Sequence, residues 1–410
     1  MPASSSDHLH TAPALRKTPV CSAIDAVLVI ILVIAALIHL VLFAGMSPDA
    51  AAVFFRALSI STLLSVVPVS ILWFLDRRER ENPWLLAAAF LWGGCIATAL
   101  SIPFNTAVYG AVARWIAFHP MVAEVLGPDA ALLIAAPLSA PIVEETIKAA
   151  GVVLIFWLLR DEFDNMRDGF IYGALVGIGF NWFEAPLFTM QGYVQHGVAP
   201  YGVELGVRYG LFGLGGHAMF TGLFGLFLGL AAQTSRKWLR VLAPVFGLLL
   251  AITGHLLNNV LPLLGTLAAA AEGQAPGRDI EREAALNAGF LQALYSGSVA
   301  QLTVFLPFAL IVVLALWRSG VWERRVIREE LASEVGRTVT PDEYQSILED
   351  GVLRTRRIDA LHPRRSAALV NAQHELAFRK RRVREQGADP EQDSLVAAWR
   401  RDIDRLRQAA

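Results

Sequence analysis

The residues of this chain best suited to chemistry are ionisable side chains inside stretches apolar enough to cross a bilayer. Glu144, Glu145 and Lys148 lie in an apolar run that begins near residue 130 and ends near residue 160. Ionisable residues at membrane depth cost roughly 2.5 to 3.5 kcal/mol each on insertion scales, and they are functional candidates for that reason. Glu144 and Lys148 are four residues apart and share a helix face. This spacing predicts an ion pair and leaves Glu145 turned about 100° away.

Three further apolar stretches carry polar residues far from their ends. Counting from the flanking charges at about 1.5 Å per residue places Glu144, Glu184 and His255 roughly 22 to 24 Å from the cytoplasmic side. The same counting places His217 roughly 26 Å from that side. Four helices therefore bring acid, imidazole and amide groups to one level, somewhat outside the bilayer midplane. The polar residues of these three stretches are Asn181, Glu184, His217, His255, Asn258 and Asn259.

These residue types form the set that hydrolysis requires. A carboxylate held in a low-dielectric site suits a general base that acts on water. Histidine can position that water, and an asparagine amide can donate to an oxyanion. His255 and Asn259 are four residues apart and point to one side of their helix. Either Glu144 or Glu145 fits the role of base.

A metal site would use the same residues. Glu184, His217 and His255 match the two-histidine, one-carboxylate ligand set of a catalytic zinc, although H-E-x-x-H occurs nowhere in the chain. A metal-free mechanism and one with a single divalent metal, zinc, both remain open. Each residue also has a structural interpretation, as a buried ion pair or an interhelical hydrogen bond. For His39, alone in its helix, the structural interpretation is preferred.

Composition indicates a multi-span membrane protein. The chain has 410 residues, of which 55% are hydrophobic and 17% charged, and its mean hydropathy is +0.49. These values exclude a soluble globular protein of average composition. Cys21 and Cys95 lie in or beside apolar runs, so neither a disulfide framework nor a cysteine metal site is indicated.

The pattern predicts an all-α fold with eight spanning helices. Pro137 and Pro141 should bend or break the fourth helix, because proline removes backbone donors. Gly169, Gly173 and Gly177, spaced four residues apart in the fifth, predict close helix packing. The eight windows of spanning length are 24–43, 53–75, 84–103, 130–159, 169–190, 210–231, 239–264 and 298–317.

Lysine and arginine in the connections place both termini in the cytoplasm. The predicted organisation is a disordered amino terminus at 1–23, a membrane domain at 24–317 with its motif core at 130–264, and a charged helical tail at 318–410. The tail carries 19 Lys and Arg against 16 Asp and Glu. It is an open question whether this basic tail binds a cytoplasmic partner.

The sequence of the tail predicts two helix starts. Thr340 begins the sequence T-P-D-E, which has the pattern of a capping box with proline at the first helical position. Asp389 and Pro390 predict a second start of a similar kind. The run R-K-R-R at 379–382 is interpreted as a solvated helix face in preference to a site for anionic lipid head groups. The predicted apolar stripe of the last helix is Leu395, Val396, Trp399, Ile403 and Leu406.

Four motifs in this order resemble those of the PrsW family of intramembrane proteases. They are E-E-T-I-K from Glu144, D-G-F-I-Y-G-A-L-V-G-I-G-F-N-W-F-E ending at Glu184, G-G-H-A-M-F around His217, and G-H-L-L-N-N around His255. The resemblance covers about residues 130–264. It implies a polytopic helical protease that is related to the CAAX prenyl protease group and cuts membrane-anchored proteins, in some bacteria an anti-sigma factor. The site residues that it implies are Glu144, Glu145, Glu184, His217, His255 and Asn259.

The resemblance leaves two points open. The CAAX group spaces its basic residue one position further from the acidic pair than Lys148 lies here, so the choice of base between Glu144 and Glu145 does not carry over. The family has also been described both as metalloproteases and, through its CAAX relatives, as glutamic proteases. The sequence therefore leaves two possibilities for the cofactor, one zinc ion or no metal.

The sequence thus predicts a multi-pass enzyme of the cell membrane that cleaves a single-pass membrane protein within or near the outer half of the bilayer. No nucleic-acid partner is expected. The principal alternative is a transporter or ion-coupled sensor that uses the same polar cluster, although no inverted repeat is evident. A catalytically inactive scaffold that presents its tail to a cytoplasmic partner is a third interpretation.

Overall fold

The architecture is helical throughout the part of the chain that the structure describes. A computed structural model describes residues 19–76, 81, 83–158, 163, 165–210, 212–234, 236–273, 289–351, 358, 361 and 363–408. Within these ranges, extended backbone pairs only at the isolated bridge between Val335 and Val339. The predicted all-α fold is confirmed. The predicted disordered amino terminus falls largely outside the described residues.

The chain divides into two compact units. The membrane unit comprises Ala26–Phe74 and Asn82–Val313, and the tail unit takes in Leu314–Ala410. A π-helical turn, Trp92–Ala97, interrupts α3, and another, Gly202–Val207, lies between α6 and α7. The helices as far as residue 332 are α1 Pro19–Ala44, α2 Pro48–Leu75, α3 Pro83–Ala117, α4 Pro120–Leu126, α5 Ala130–Leu158, α6 Met166–His196, α7 His217–Gln233, α8 Lys237–Ala271, α9 Phe290–Val304 and α10 Leu306–Ala332.

Among the described residues, five helices are long and apolar enough to cross a membrane. They are α2, α3, α5, α8 and α10, while α7 and the segment Val29–Ala44 of α1 are shorter apolar helices. Five such helices make this a multi-pass membrane protein. The count of eight spans stays a prediction.

Helix α6 is buried along almost its whole length within the membrane unit. It begins at a capping box in which the Asn165 side chain accepts from the backbone N–H groups of Arg167 and Asp168, and Asp168 accepts in return from that of Asn165. This arrangement satisfies donors that a helix N-terminus otherwise leaves unpaired. Helix α6 ends at Gly197, whose positive φ of 73° forms a left-handed cap.

The glycine stripe of α6 brings its backbone against the backbone of α7. A Cβ atom added to Gly169 would lie 2.0 Å from the carbonyl oxygen of Gly225, and one added to Gly177 would lie 2.1 Å from that of His217. At Gly173 the corresponding distance, to the carbonyl oxygen of Thr221, is 2.3 Å. The predicted close packing is therefore confirmed. The stripe sets the distance between α6 and the first two turns of α7.

Helix α7 begins later than the sixth apolar window predicted. The chain before it turns at Gly210, Gly213 and Gly216, whose φ angles are +55°, +63° and +55°. Glycine adopts positive φ readily because it has no Cβ, and these turns end the connection at residue 216. The predicted start at 210 is wrong, and His217 lies in the first turn of the helix.

Helix α5 passes through Pro137 and Pro141 without a break, so of the predicted bend or break, the break does not occur. Beside the prolines, the Asn259 side chain of α8 donates to the carbonyl oxygen of Ala136 at 3.4 Å. The acidic pair therefore lies on a continuous helix.

Replacing Gly177 with alanine should destabilise the membrane unit, because the new methyl group would overlap a backbone carbonyl that cannot move independently of α7. Overpacking typically costs about 1 to 3 kcal/mol, so we expect a lower Tm for the purified protein in detergent. The matched control is Gly265→Ala in α8, where an added Cβ meets nothing within 4 Å. An unchanged Tm for Gly177→Ala would contradict the packing described here.

The tail unit has its own apolar core, formed by the end of α10 with α11 Pro341–Leu348, α12 Pro363–Glu385 and α13 Ser394–Gln408. The capping box predicted at Thr340 is confirmed. The predicted second start is wrong by four residues. Pro390–Gln392 is a short 3-10 turn, and Asp393 accepts from the first backbone N–H groups of α13.

Two predictions about tail side chains also change. Leu395, assigned to the apolar stripe of α13, is 41% exposed, because the helix starts one residue before it. In the R-K-R-R run, Arg379 pairs with Asp393 and the buried Lys380 pairs with Glu334. These two residues are therefore structural cations, neither a solvated face nor a lipid-binding patch.

Glu334 holds the tail unit together electrostatically. Its carboxylate accepts from Arg400 at 2.7 Å, from Thr338 at 2.8 Å and from Lys380 at 2.5 Å, and it is fully buried. Burial alone would raise the pKa of this carboxyl, but the hydrogen bonds from Arg400 and Lys380 lower it to about 2. Since the pKa in the folded state lies below the ordinary value of 4.5, Glu334 stabilises the unit above about pH 4.5, and this stabilisation is lost as the pH falls towards 2.

Replacing Glu334 with glutamine should destabilise the tail unit at neutral pH, because it leaves Lys380 buried without a counter-charge and leaves Arg400 with the exposed Glu391 as its remaining carboxylate partner among the described residues. Breaking a buried pair in this way costs about 3 to 5 kcal/mol. Hydrogen–deuterium exchange of the full-length protein should show faster exchange in α12 and α13. Arg337→Ala, which removes an exposed pair with Glu391, is the control and should change exchange little. Equal exchange in Glu334→Gln and wild type would refute this role.

Candidate active site

The structure brings five of the six predicted site residues into one buried cluster inside the membrane unit. Helix α5 contributes two of them, and α6, α7 and α8 contribute one each. Contacts of 2.8 to 3.9 Å connect them, directly or through one further side chain. The five residues are Glu144, Glu145, Glu184, His217 and His255.

Lys148 is the cation at the centre of the cluster. Its Nζ lies 2.8 Å from Glu145 Oε1 and 3.5 Å from Glu144 Oε2, and it donates to His217 Nδ1 at 2.9 Å. The predicted ion pair between Glu144 and Lys148 is therefore the longer of two, because Glu145, which the sequence left turned away from that pair, lies closer to Lys148. Residues three apart also face each other on a helix.

Glu145 has little capacity left for further hydrogen bonds. Its Oε1 accepts from Lys148 and lies 3.0 Å from His255 Nδ1, while its Oε2 accepts from Thr221 at 2.9 Å. It is 1% exposed. These contacts connect α5 to α7 and α8, so Glu145 orients its neighbours and is poorly placed to take a proton from water.

Each histidine has one ring nitrogen fixed by a carboxylate. Because a carboxylate only accepts, His255 donates from Nδ1 to Glu145, which leaves Nε2 as the acceptor of a neutral ring. Because an ammonium only donates, His217 accepts from Lys148 at Nδ1 and donates from Nε2 to Glu184 at 2.8 Å. The partners thus set opposite tautomers in the two rings. The two ring centroids are 4.8 Å apart.

Glu144 has the more available of the two α5 carboxylates. Its Oε1 accepts from the Asn105 side chain at 2.9 Å. Its Oε2 lies 3.9 Å from His255 Nε2 and 3.5 Å from Lys148 Nζ. Two acceptors, Glu144 Oε2 and His255 Nε2, therefore face each other across a gap wide enough for one bridging group.

The sequence analysis missed four residues that contribute to the cluster, namely Asn105, Thr221, Arg208 and Glu204. Asn105 lies beyond the end of the third window, and Thr221 has no signal except its position one turn after His217. Arg208 was counted only as a loop charge, but it donates to Glu184 at 2.7 Å and to Glu204 at 2.8 Å. Arg208 directly follows the π-helical turn Gly202–Val207, and π-helical turns are frequent at functional sites.

The remaining predicted polar residues make other contacts. Asn259 donates to the Ala136 carbonyl, and Asn258 is exposed and donates to Asn259. Asn181 is buried. His39 bonds to a backbone carbonyl of its own helix and lies edge-on to Phe183, which agrees with its structural interpretation. The role of Asn259 in an oxyanion site stays a prediction.

The cluster contains more carboxylates than permanent cations. With both histidines neutral its formal charge is −2, which two protons or one divalent cation would balance. Its carboxylates are Glu144, Glu145, Glu184 and Glu204, and its permanent cations are Lys148 and Arg208.

A divalent metal fits the donor types of the cluster. Among the described residues, Glu144, His217 and His255 each offer one ligand atom, and these atoms lie within 4.8 Å of one another. Two imidazoles and a carboxylate are a zinc ligand set, and the Glu145 and Glu184 carboxylates on the histidines resemble the outer contacts of such sites. The carboxylate of this group is Glu144, whereas the sequence pointed to Glu184.

Comparisons with known proteins point to one family. Residues 81–276 match the family described as PrsW family intramembrane metalloprotease, and this range contains every residue of the cluster. Protease PrsW of Geobacillus kaustophilus (strain HTA426) is 32% identical over 114 residues, which are 27% of this chain and 46% of that relative. The chain thus matches less than half the length of this relative. No solved structure matches the chain significantly. Both matches support the resemblance of the membrane unit to the PrsW family.

Replacing Lys148 with methionine should destabilise the protein, because the buried carboxylates of Glu144 and Glu145 lose their shared cation. The expected cost is about 3 to 5 kcal/mol, which at about 2 to 4 °C per kcal/mol lowers the Tm by roughly 6 to 20 °C. The control is Lys237→Met at the exposed start of α8. A Tm equal to that of the control would show that Lys148 does not neutralise the cluster.

Proposed function

We propose that this protein is an intramembrane endopeptidase of the PrsW type, which hydrolyses a peptide bond in a membrane-anchored protein. Two independent lines support the proposal. The family match covers the region that contains the cluster, and the cluster places a carboxylate and two tautomer-fixed imidazoles in a buried site within a multi-pass protein.

The observation that carries the proposal is the pair of acceptors formed by Glu144 Oε2 and His255 Nε2, 3.9 Å apart. A water molecule that donates one hydrogen to each acceptor has its lone pairs directed away from both. Such a water is oriented for attack on a carbonyl carbon, which is the arrangement that hydrolysis requires. Glu145 contributes indirectly, because its bond to His255 Nδ1 keeps Nε2 unprotonated.

In the proposed reaction, Glu144 removes a proton from this water as the oxygen bonds to the scissile carbonyl carbon. The π electron pair of the carbonyl moves to its oxygen, and the nearby charge of Lys148 offsets the negative charge that develops there. The proton held by Glu144 then passes to the amide nitrogen as the C–N bond breaks. The products are a carboxylic acid and an amine.

The cofactor is open between no metal and one divalent metal, for which the donor set favours zinc. Glu144, His217 and His255 are the residues that would hold it, with Glu145 and Glu184 orienting the imidazoles. A bound zinc ion supplies a Lewis acid that polarises the carbonyl and lowers the pKa of bound water. Because the Lys148 ammonium contacts His217 Nδ1, metal binding through that nitrogen requires Lys148 to move.

We further propose the substrate class and the topology. The substrate is a single-pass membrane protein, and an anti-sigma factor is the example that the family resemblance implies. Eight spans with both termini in the cytoplasm place the cluster in the outer half of the cell membrane. The basic tail unit, with its separate core, is the part suited to a cytoplasmic partner. The relation to the CAAX group also remains a proposal from the motifs.

The proposal is tested with full-length protein reconstituted in liposomes with a panel of synthetic single-span peptides, with mass spectrometry to identify the products. Wild type should cleave at least one peptide, and Glu144→Gln should lower kcat by at least about 100-fold, the usual contribution of a general base. Glu124→Gln, an exposed acid on α4, is the control and should retain activity. Cleavage by Glu144→Gln at the wild-type rate would remove Glu144 from the mechanism.

The same preparations decide the cofactor. Elemental analysis of wild type gives the metal content, and a chelator that abolishes cleavage reversibly would establish a metal-dependent reaction. Activity that persists in metal-free protein would establish the glutamate mechanism. If wild type cleaves no peptide of the panel but binds ions in the site, the protein belongs to the transporter or sensor class.

A further inference from the structure

Asn105 on α3 is the polar group closest to Glu144 that no motif includes. Its Nδ2 donates to Glu144 Oε1 at 2.9 Å. This bond also assigns the two ends of the amide, because only the NH₂ group can donate to a carboxylate. The other end of the amide, Oδ1, therefore points away from that oxygen.

The Oδ1 atom of Asn105 is buried and has no hydrogen-bond partner among the residues that the structure describes. A buried acceptor without a partner costs about 1 to 3 kcal/mol, and such atoms are rare in folded proteins. This one adjoins the carboxylate that faces His255. An unsatisfied acceptor at that place points to a donor that arrives with a ligand.

We propose that Asn105 is a substrate-binding residue, whose Oδ1 accepts a backbone N–H of the substrate next to the scissile bond. This inference rests on the proposed function. An extended peptide presents a backbone N–H at every residue, and in a membrane each unsatisfied N–H is costly. A substrate segment unwound for cleavage therefore gains from an acceptor inside the site.

The amide of Asn105 connects substrate binding to the base. Nδ2 holds Glu144 and Oδ1 holds the substrate backbone, and both atoms belong to one rigid, planar group. The distance from the bound N–H to the Glu144 carboxylate is therefore nearly fixed. Asn105 would position the peptide against the base that activates water, a contribution that depends on alignment within about 1 Å.

The two ends of the amide can be tested separately. Asn105→Leu removes both the donor and the acceptor, whereas Asn105→Asp removes the donor and keeps an acceptor oxygen. Ser101→Ala, one turn earlier on α3, is the control. Its buried hydroxyl bonds only to the Ala97 carbonyl of the same helix among the described residues, so its loss should leave kcat and KM unchanged.

The probes are variants of the peptide that wild type cleaves in liposomes. In each variant an ester oxygen replaces one backbone N–H, and the series covers positions on both sides of the scissile bond. At one position the ester should raise the KM of wild type about 10-fold, the value of one hydrogen bond of about 1.4 kcal/mol. Asn105→Leu should raise KM for the unmodified peptide by a similar factor and show no further response to that ester. Asn105→Asp should keep the ester response while its kcat falls.

Failure of the inference can be distinguished from failure of the proposed function. One outcome is that wild type cleaves the peptide and still shows the same change in KM as Asn105→Leu at every ester position. In that case Asn105 only holds Glu144, and the substrate contact is refuted. If wild type cleaves none of the peptides, the proposed function fails and this inference fails with it. Should Asn105→Leu not fold, Asn105→Ala, which also removes both the donor and the acceptor, replaces it in the ester series with the same expected and opposing outcomes.

Discussion

The cluster depends on the buried ammonium of Lys148. Two adjacent glutamates on one helix repel each other strongly at low dielectric, and Lys148 on the next turn supplies the counter-charge for both. It also fixes the tautomer of His217 through Nδ1. One cation therefore neutralises the acids of α5 and orients a ring on α7. The unequal distances to the two carboxylates distinguish their roles, since the closer one is saturated and the other is available.

The close contact of α6 with α7 is the second constraint. Glycines on α6 let the carbonyls of His217 and Thr221 approach its backbone, so these two residues are held at a distance that larger side chains would increase. The glycines with positive φ before His217 end the preceding connection and begin α7 at that residue. The packing of the two backbones therefore sets the position of His217, independently of the hydrogen bonds that its side chain makes.

The sequence was sufficient to predict the helical class and the convergence of polar residues from four helices, because ionisable residues in apolar segments are conspicuous. It did not predict which glutamate is saturated. Helix spacing favours both Glu144 and Glu145 as partners of Lys148, and only the position of α7 and α8 distinguishes them. Asn105 and Arg208 were missed because an asparagine or arginine near the end of an apolar stretch usually faces the interface. The 3-10 turn before α13 was missed because Asp389 with Pro390 and Asp393 with Ser394 are both reasonable helix starts.

The bond between Glu145 and His255 joins residues that are 110 positions apart, and this separation has a consequence during synthesis. At about 5 to 20 residues per second, the ribosome needs roughly 5 to 20 s to reach His255 after it has added Glu145. During that interval Nε2 of His255 does not yet exist as an acceptor opposite Glu144. A partly inserted chain therefore contains the acidic pair of α5 without its imidazole partner on α8, and the cluster is complete only after α8 has been synthesised.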